Sequence, residues 1–148
     1  NEFYKKFTKR GVIPGKFIVS GTNCSIQHNG QQLYTRGQKV TVGKYQRVVD
    51  KKDSDGNIVL SEREDVCEKI VKLTNLNFMI GRDKVHSDKV YQILIRYNAN
   101  LVNCHIIKLL DDVIYVETEV PVFAPTPGQI GTIYDEDNIL VGGFIYTD

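Results

Sequence analysis

Short apolar segments separated by polar turns recur along this chain, and their spacing predicts strands rather than helices. Beyond residue 65, six segments read as strands: 69–78, 90–97, 102–109, 113–119, 130–134 and 139–146. Polar turns part them at Gly81-Arg82-Asp83, Asn98-Ala99-Asn100, Asp111-Asp112 and 135–138, and a proline- and glycine-rich loop parts the fourth from the fifth. Hairpin-length links without a convincing helix predict a small six-stranded antiparallel β-barrel, with a sandwich as its structural competitor. Ahead of the barrel, 16–20 is rich in β-branched residues and 24–28 is its expected partner, with Asn29-Gly30 as a tight turn. Segments 45–49 and 57–61 flank Asp53-Ser54-Asp55-Gly56, a strong hairpin signal. Residues 2–9 are expected to form a short helix, with Phe3 and Phe7 on one face and Gly11 placed to end it. The charged run Glu62-Arg63-Glu64-Asp65 is the expected boundary, giving a small basic, β-rich domain over 1–62 and a barrel over 63–148.

The stiffest local feature is the loop between the fourth and fifth barrel strands. Pro125 and Pro127 flank Thr126, which predicts extended conformations at Ala124 and Thr126. Pro127-Gly128 fits the central positions of a type II turn, where proline sets φ and glycine accepts a positive one. Gln129 follows, a long amide expected to aim outward from a rigid turn. Such a loop on a β scaffold is either a recognition site or a plain connection whose glutamine is solvated.

Composition sharpens this in one respect. The 148 residues are 41% hydrophobic, enough for one domain or two small ones, and the net charge of +1 hides an asymmetry. Residues 1–52 carry eleven Lys and Arg against Glu2 and Asp50, a net of +9. Residues 53–148 carry eight basic and sixteen acidic side chains, a net of −8. Such halves suggest a basic, polyanion-facing module joined to an acidic one, or two halves that neutralise each other. Cys24, Cys67 and Cys104 are odd in number and lack C-x-x-C spacing, which speaks against a disulfide framework or a zinc site and for a reducing compartment. No stretch approaches the roughly 18 apolar residues of a membrane span, and no signal peptide is visible. A first residue of Asn rather than Met suggests a fragment.

Candidate catalytic groupings are weak. Cys104 and His105 are neighbours on a strand, so their side chains point to opposite faces and a thiolate–imidazole pair is disfavoured. Cys24 near His28 has no third residue to orient the histidine. Asp53, Asp55 and Asn57 hint at a calcium loop, but the glutamate due at the twelfth position is missing. No Walker-type glycine loop is present. Arg96 and Tyr97, at an expected strand end, could pair with phosphate and stack on a base.

Six short motifs carry a resemblance: Pro14-Gly15-Lys16-Phe17-Ile18-Val19, His28-Asn29-Gly30, Tyr34-Thr35-Arg36-Gly37-Gln38-Lys39, Val48-Val49-Asp50, Ile95-Arg96-Tyr97 and Thr126-Pro127-Gly128-Gln129. In this order and spacing the chain resembles the C-terminal end of the tRNA-specific 2-thiouridylases, which place sulfur on the wobble uridine of certain tRNAs. The resemblance covers nearly the whole chain. It implies a central β-rich domain followed by a barrel similar to one in translation elongation factors. It also implies ATP, with Mg, as cofactor of the full-length parent, which activates uracil O2 before attack by a cysteine persulfide. In that family nucleotide binding and both catalytic cysteines belong to an N-terminal adenylation domain and the segment after it. None of the three cysteines here matches, so this stretch alone is expected to be inactive, binding neither cofactor nor metal.

The same resemblance makes Arg96, Tyr97 and Gln129 tRNA contacts, and likens Arg36, Gln38 and Lys39 to a loop that reaches toward tRNA and the active site. The expected partners are tRNA and a persulfide-donating protein, in a cytoplasm, or in a mitochondrion or plastid if the source is eukaryotic. Departures mark a divergent member: Lys39 replaces an arginine, Val40-Thr41-Val42 replaces Lys-Gly-Leu, Asn98 stands where a basic residue is usual, and the terminal glycine triplet is Val141-Gly142-Gly143. Lysine keeps the charge but lacks the planar fork. Two other readings remain open at this point: a non-enzymatic elongation-factor-like barrel that binds RNA, ribosome or protein, and a protein-interaction barrel that uses the acidic half.

Overall fold

The computed structural model describes Val12, residues 14–96 and residues 98–147. The helix expected over 2–9 lies outside the described residues. The chain divides into two compact units, Asn1–Val66 and Cys67–Asp148.

The first unit holds strands β1 (Gly15–Val19), β2 (Ser25–His28), β3 (Lys39–Val42), β4 (Tyr45–Lys52) and β5 (Ile58–Ser61) in one sheet of order β2-β1-β5-β4-β3. β1 runs parallel to β5, and the other neighbours are antiparallel. Alternation along the strands turns Phe17, Val19, Val42, Val49, Ile58 and Leu60 into one buried cluster. The expected β4–β5 hairpin is closed by Asp53, whose carboxylate accepts the N–H groups of Asp55 and Asn57 and the Asn57 side-chain amide. Those bonds, led by the one from the Asn57 side chain, hold the Asp53 carboxyl below its usual range. The aspartate therefore builds a turn, with Gly56 at φ 87° completing it.

Asn29-Gly30 does not make the expected tight turn. The β1–β2 reversal lies at 20–24, where the Thr22 hydroxyl donates to the Val19 carbonyl and accepts the Cys24 N–H. Gly30, at φ 143°, instead leads into a 3-10 turn at Gln31–Leu33. Strand β3 is also absent from the sequence reading. It is a four-residue edge strand whose place is set by its pairing with β4.

Motif residues of this unit converge on the Gly56 carbonyl. His28 Nδ1 accepts the Gly30 N–H at 3.1 Å, which leaves the proton on Nε2 to be donated to Gly56 O at 2.9 Å. The His28 ring packs 5.0 Å from Phe17 and 5.8 Å from Tyr34, between ring centroids. Gly15 lies so close that a Cβ there would overlap the Gly56 carbonyl. His28 is thus held as a structural residue rather than as the partner of Cys24, which packs against the same core.

The second unit is a closed barrel of β6 (Cys67–Phe78), β7 (Val90–Leu94), β8 (Val102–Leu109), β9 (Val113–Phe123), β10 (Ile130–Asp135) and β11 (Asn138–Ile145). Its order is β10-β11-β6-β9-β8-β7, all antiparallel, with β7 closing on β10. Val71, Leu73, Ile93, Ile106, Ile114 and Ile133 belong to its interior. Gly131 and Gly143 face each other, and a Cβ on them would come within 2.6 Å and 3.1 Å of the Leu73 side chain. Leu73 fills the room that both glycines leave. Cys104 is fully buried, and its burial pushes the thiol up to about 12. His105 occupies the opposite face, so the two do not form a reactive pair.

Two strand limits differ from expectation. β7 stops at Leu94, short of Arg96, and β9 runs through Pro121 to Phe123. Ile70 is opposite Glu117 while Glu68 is opposite Val122, so residues 118–121 bulge from the β6 ladder. Pro121 falls within that bulge, where its missing N–H breaks no rung.

Candidate functional site

Strand register gathers the site at one end of the barrel. β7 and β9 end there, β10 begins there, and Ile130 at the start of β10 is opposite Phe144 near the end of β11. Arg96, two residues past β7, reaches across to the loop that joins β9 to β10. Its Nη2 donates to the Ala124 carbonyl at 2.6 Å, and its Nε donates to Gln129 Oε1 at 3.4 Å, a long contact. The guanidinium lies 5.3 Å from the Phe123 ring centroid, within cation–π range. Arginine can only donate, so the glutamine oxygen must face it and the Nε2 donors of Gln129 turn the other way.

The loop itself follows the turn chemistry in part. Gln129 N–H donates to the Thr126 carbonyl at 3.1 Å, and Gly128 sits at φ 87°, the pattern of a type II turn. Two further bonds, Gly128 N–H to Ile145 O at 2.9 Å and Ile145 N–H to Gln129 O at 2.7 Å, fasten the turn to β11. Ala124 departs from the expected extended form and adopts φ 44°. Its fully buried position and its carbonyl, shared by Arg96 and the Thr126 hydroxyl at 2.9 Å, hold it there. Gln129, expected to aim outward, is half-buried and engaged by Arg96. Tyr97 lies outside the described residues.

A Cβ on Gly128 would meet nothing within 4 Å, so Gly128→Ala tests the backbone alone. A cost of about 1–2 kcal/mol is expected in urea unfolding, the usual penalty of a left-handed L-residue. An unchanged midpoint would contradict the turn geometry.

The other sequence-predicted residues sit in the first unit on a second turn of the same design. Gln38 N–H donates to the Thr35 carbonyl at 3.0 Å, and Gly37 takes φ 84°. Thr35-Arg36-Gly37-Gln38 and Thr126-Pro127-Gly128-Gln129 are therefore matching Thr-x-Gly-Gln turns. Here the glutamine folds back, its Oε1 accepting the Thr35 N–H at 3.1 Å. Gly37 N–H and Gln38 O pair with Val49 of β4, which steadies the turn beside β3. Lys39, exposed at the start of β3, lines a cleft of about 320 Å³ together with Arg47, Arg63 and Glu62. Arg47 pairs there with Glu62 at 2.7 Å. Sequence reasoning missed Arg47, Phe123 and Ala124. Nothing local marks them, because each gains its role through a partner outside its own segment.

A small closed antiparallel barrel with a pinned polar turn at one end is the class this geometry defines, and residues 68–145 match the family model described as "Aminomethyltransferase beta-barrel domain". Across nearly its whole length the chain is similar to proteins named tRNA-specific 2-thiouridylase MnmA. Identity is 35% with that of Fervidobacterium nodosum, over 98% of this chain and 42% of the relative. It is 31% with that of Acetivibrio thermocellus, over 97% and 41%, and 31% with that of Clostridioides difficile, over 97% and 40%. The chain belongs to the tRNA-specific 2-thiouridylase family, through its aminomethyltransferase beta-barrel domain. It spans about two-fifths of the length of these curated relatives.

Proposed function

We propose that this chain is the tRNA-positioning C-terminal part of a tRNA-specific 2-thiouridylase, a transferase that 2-thiolates the wobble uridine of tRNA with ATP. The observation that carries the reading is the Arg96–Gln129 contact, which joins two family-like motifs 33 residues apart at one barrel end. Arg96, Gln129 and Tyr97 form one tRNA contact. Arg96 holds the loop and adds positive charge, and Gln129 offers its Nε2 donors to phosphate or base-edge acceptors. Arg36, Gln38 and Lys39 form a second contact on the matching turn of the basic half, which attracts the polyanion.

In this reading the chemistry takes place elsewhere in the parent. The helical segments among the described residues are three-residue 3-10 turns, without a glycine-rich loop opening a helix, so these residues do not fit a nucleoside triphosphate. The Cys104 thiol, buried and pushed up to about 12, does not fit the role of persulfide carrier. ATP, its Mg and the persulfide-donating protein are accordingly assigned to the adenylation region of the parent.

The test is fluorescence anisotropy with a labelled tRNA transcript. The chain is expected to bind weakly, with affinity falling as salt rises because phosphate contacts release counterions. Lys39→Glu combined with Arg96→Glu is expected to weaken binding about tenfold or more and to flatten the salt dependence. Affinity indifferent both to salt and to the double reversal would sink the assignment.

A further inference from the structure

The outer wall of the barrel carries a row of side chains that the site above does not use. Tyr146 N–H donates to Lys72 O at 3.1 Å, Lys72 is opposite Tyr115, and Tyr115 is opposite Lys108. Tyrosine and lysine therefore alternate across β6, β9 and β8, starting from the residue after β11. Lys72 Nζ lies 5.4 Å from the Tyr115 ring centroid and 6.0 Å from that of Tyr146, and Lys108 Nζ lies 5.5 Å from Tyr115. The two tyrosine hydroxyls meet at 3.2 Å. Rings so linked fix both ammonium groups, lowering the entropy that each would lose on meeting an anion.

Beside this row, on neighbouring positions of the same face, Phe144 is 43% exposed and its opposite number Ile130 is 62% exposed. Residues 67–148 carry seven Lys and Arg against eleven Asp and Glu, a net of −4, so two lysines held against one tyrosine ring form a basic spot on an acidic unit.

We infer that this wall, centred on Lys72, Tyr115, Lys108 and Phe144, is a second RNA-contacting face that grips a single-stranded or looped stretch. Fixed ammonium groups suit successive phosphates, and an exposed phenylalanine suits an unstacked base. The face is continuous with the pinned turn, because Ile130 follows Gln129 and Ile145 N–H donates to Gln129 O at 2.7 Å. An acidic protein segment would satisfy the lysines but leave Phe144 without a stacking partner. The inference rests on the RNA-binding reading above for the nature of the polymer, and its residues are separate from Arg96 and Gln129.

The experiment uses the intact 148-residue chain with two labelled probes, a twelve-nucleotide single-stranded RNA of mixed sequence and a tRNA transcript. Lys72→Gln with Lys108→Gln is expected to weaken binding of the short RNA about tenfold and to lower the slope of log K against log salt by about 1.4, the share of two phosphate contacts. Phe144→Ser should weaken it about fivefold or more with the salt slope unchanged. Glu117→Gln, which removes a carboxylate two residues along β9 from Tyr115, should tighten it. Lys72→Arg with Lys108→Arg retains charge and should bind like the parent chain, which separates lost contacts from misfolding.

Wild-type affinity and slope in the double glutamine variant would overturn the inference. So would a polyglutamate peptide that competes as well as RNA while Phe144→Ser is neutral. If Arg96→Glu abolishes tRNA binding and the lysine variants do not affect either probe, the face fails while the proposed function stands. If the short RNA responds to the lysines but tRNA binding ignores Arg96 and Lys39, the face stands and the assigned tRNA contacts fail.

Discussion

Gly15→Ala should cost the first unit about 3 kcal/mol or more. The added Cβ would overlap the Gly56 carbonyl oxygen and carbon, which are backbone atoms and have no rotamer to change. Moving that carbonyl away also stretches the bond from His28 Nε2, and with it the link from Gly30 N–H to His28 Nδ1. A buried acceptor or donor left unpaired adds about 1–3 kcal/mol to the clash. Gly21→Ala is the matched control: its φ of 73° carries backbone strain, but a Cβ there meets nothing within 4 Å. The chain has no tryptophan, so circular dichroism with hydrogen exchange of β1, β4 and β5 peptides is the suitable measurement. Equal urea midpoints for the two variants would show that the Gly15–Gly56 approach is not the constraint described.

Arg96→Ala should release the loop over 124–129 and remove most of the tRNA affinity proposed for this end of the barrel. Stability should fall by about 1–3 kcal/mol, the usual worth of a charged donor on a buried carbonyl. The Ala124 carbonyl keeps its bond from the Thr126 hydroxyl, which limits the loss. Without the guanidinium, however, less holds Ala124 at φ 44°, and Gln129 loses the donor that orients its amide. Arg96→Lys distinguishes charge from geometry. A single ammonium cannot reproduce the fork that spans Ala124 O and Gln129 Oε1, so lysine should remain closer to alanine in both loop exchange and tRNA affinity. Full rescue by lysine would mean that Arg96 acts as a point charge and that the pinned glutamine is incidental.

The pairing of Arg96 with Gln129 also shows how the motifs differ in legibility. Thr126-Pro127-Gly128-Gln129 announces its turn, because proline and glycine impose their dihedrals wherever they stand. The same is true of Asp53-Ser54-Asp55-Gly56, whose aspartate bonds only to its own turn. The opposite facing of Cys104 and His105 follows from strand alternation alone. Ala124 is the instructive failure. A residue before proline prefers the extended region, yet hydrogen bonds to its carbonyl from Arg96 and Thr126 accompany the opposite sign of φ. Likewise, Pro121 looks like the start of a loop until the β6–β9 bulge gives it a place inside a strand.

By itself, then, the sequence determined the elements whose causes lie within a few residues. These are the mainly β character, six barrel segments, two proline- or aspartate-driven turns, and the motif series that places the chain in its family. Only the tertiary structure decided the parallel pairing of β1 with β5 and the closure of β7 on β10. It also decided the seating of Gly15 against Gly56 and the capture of Gln129 by Arg96. The reason is physical: alternation and dihedral preference act through neighbours along the chain, whereas these contacts join residues some 30 to 40 positions apart once register is set.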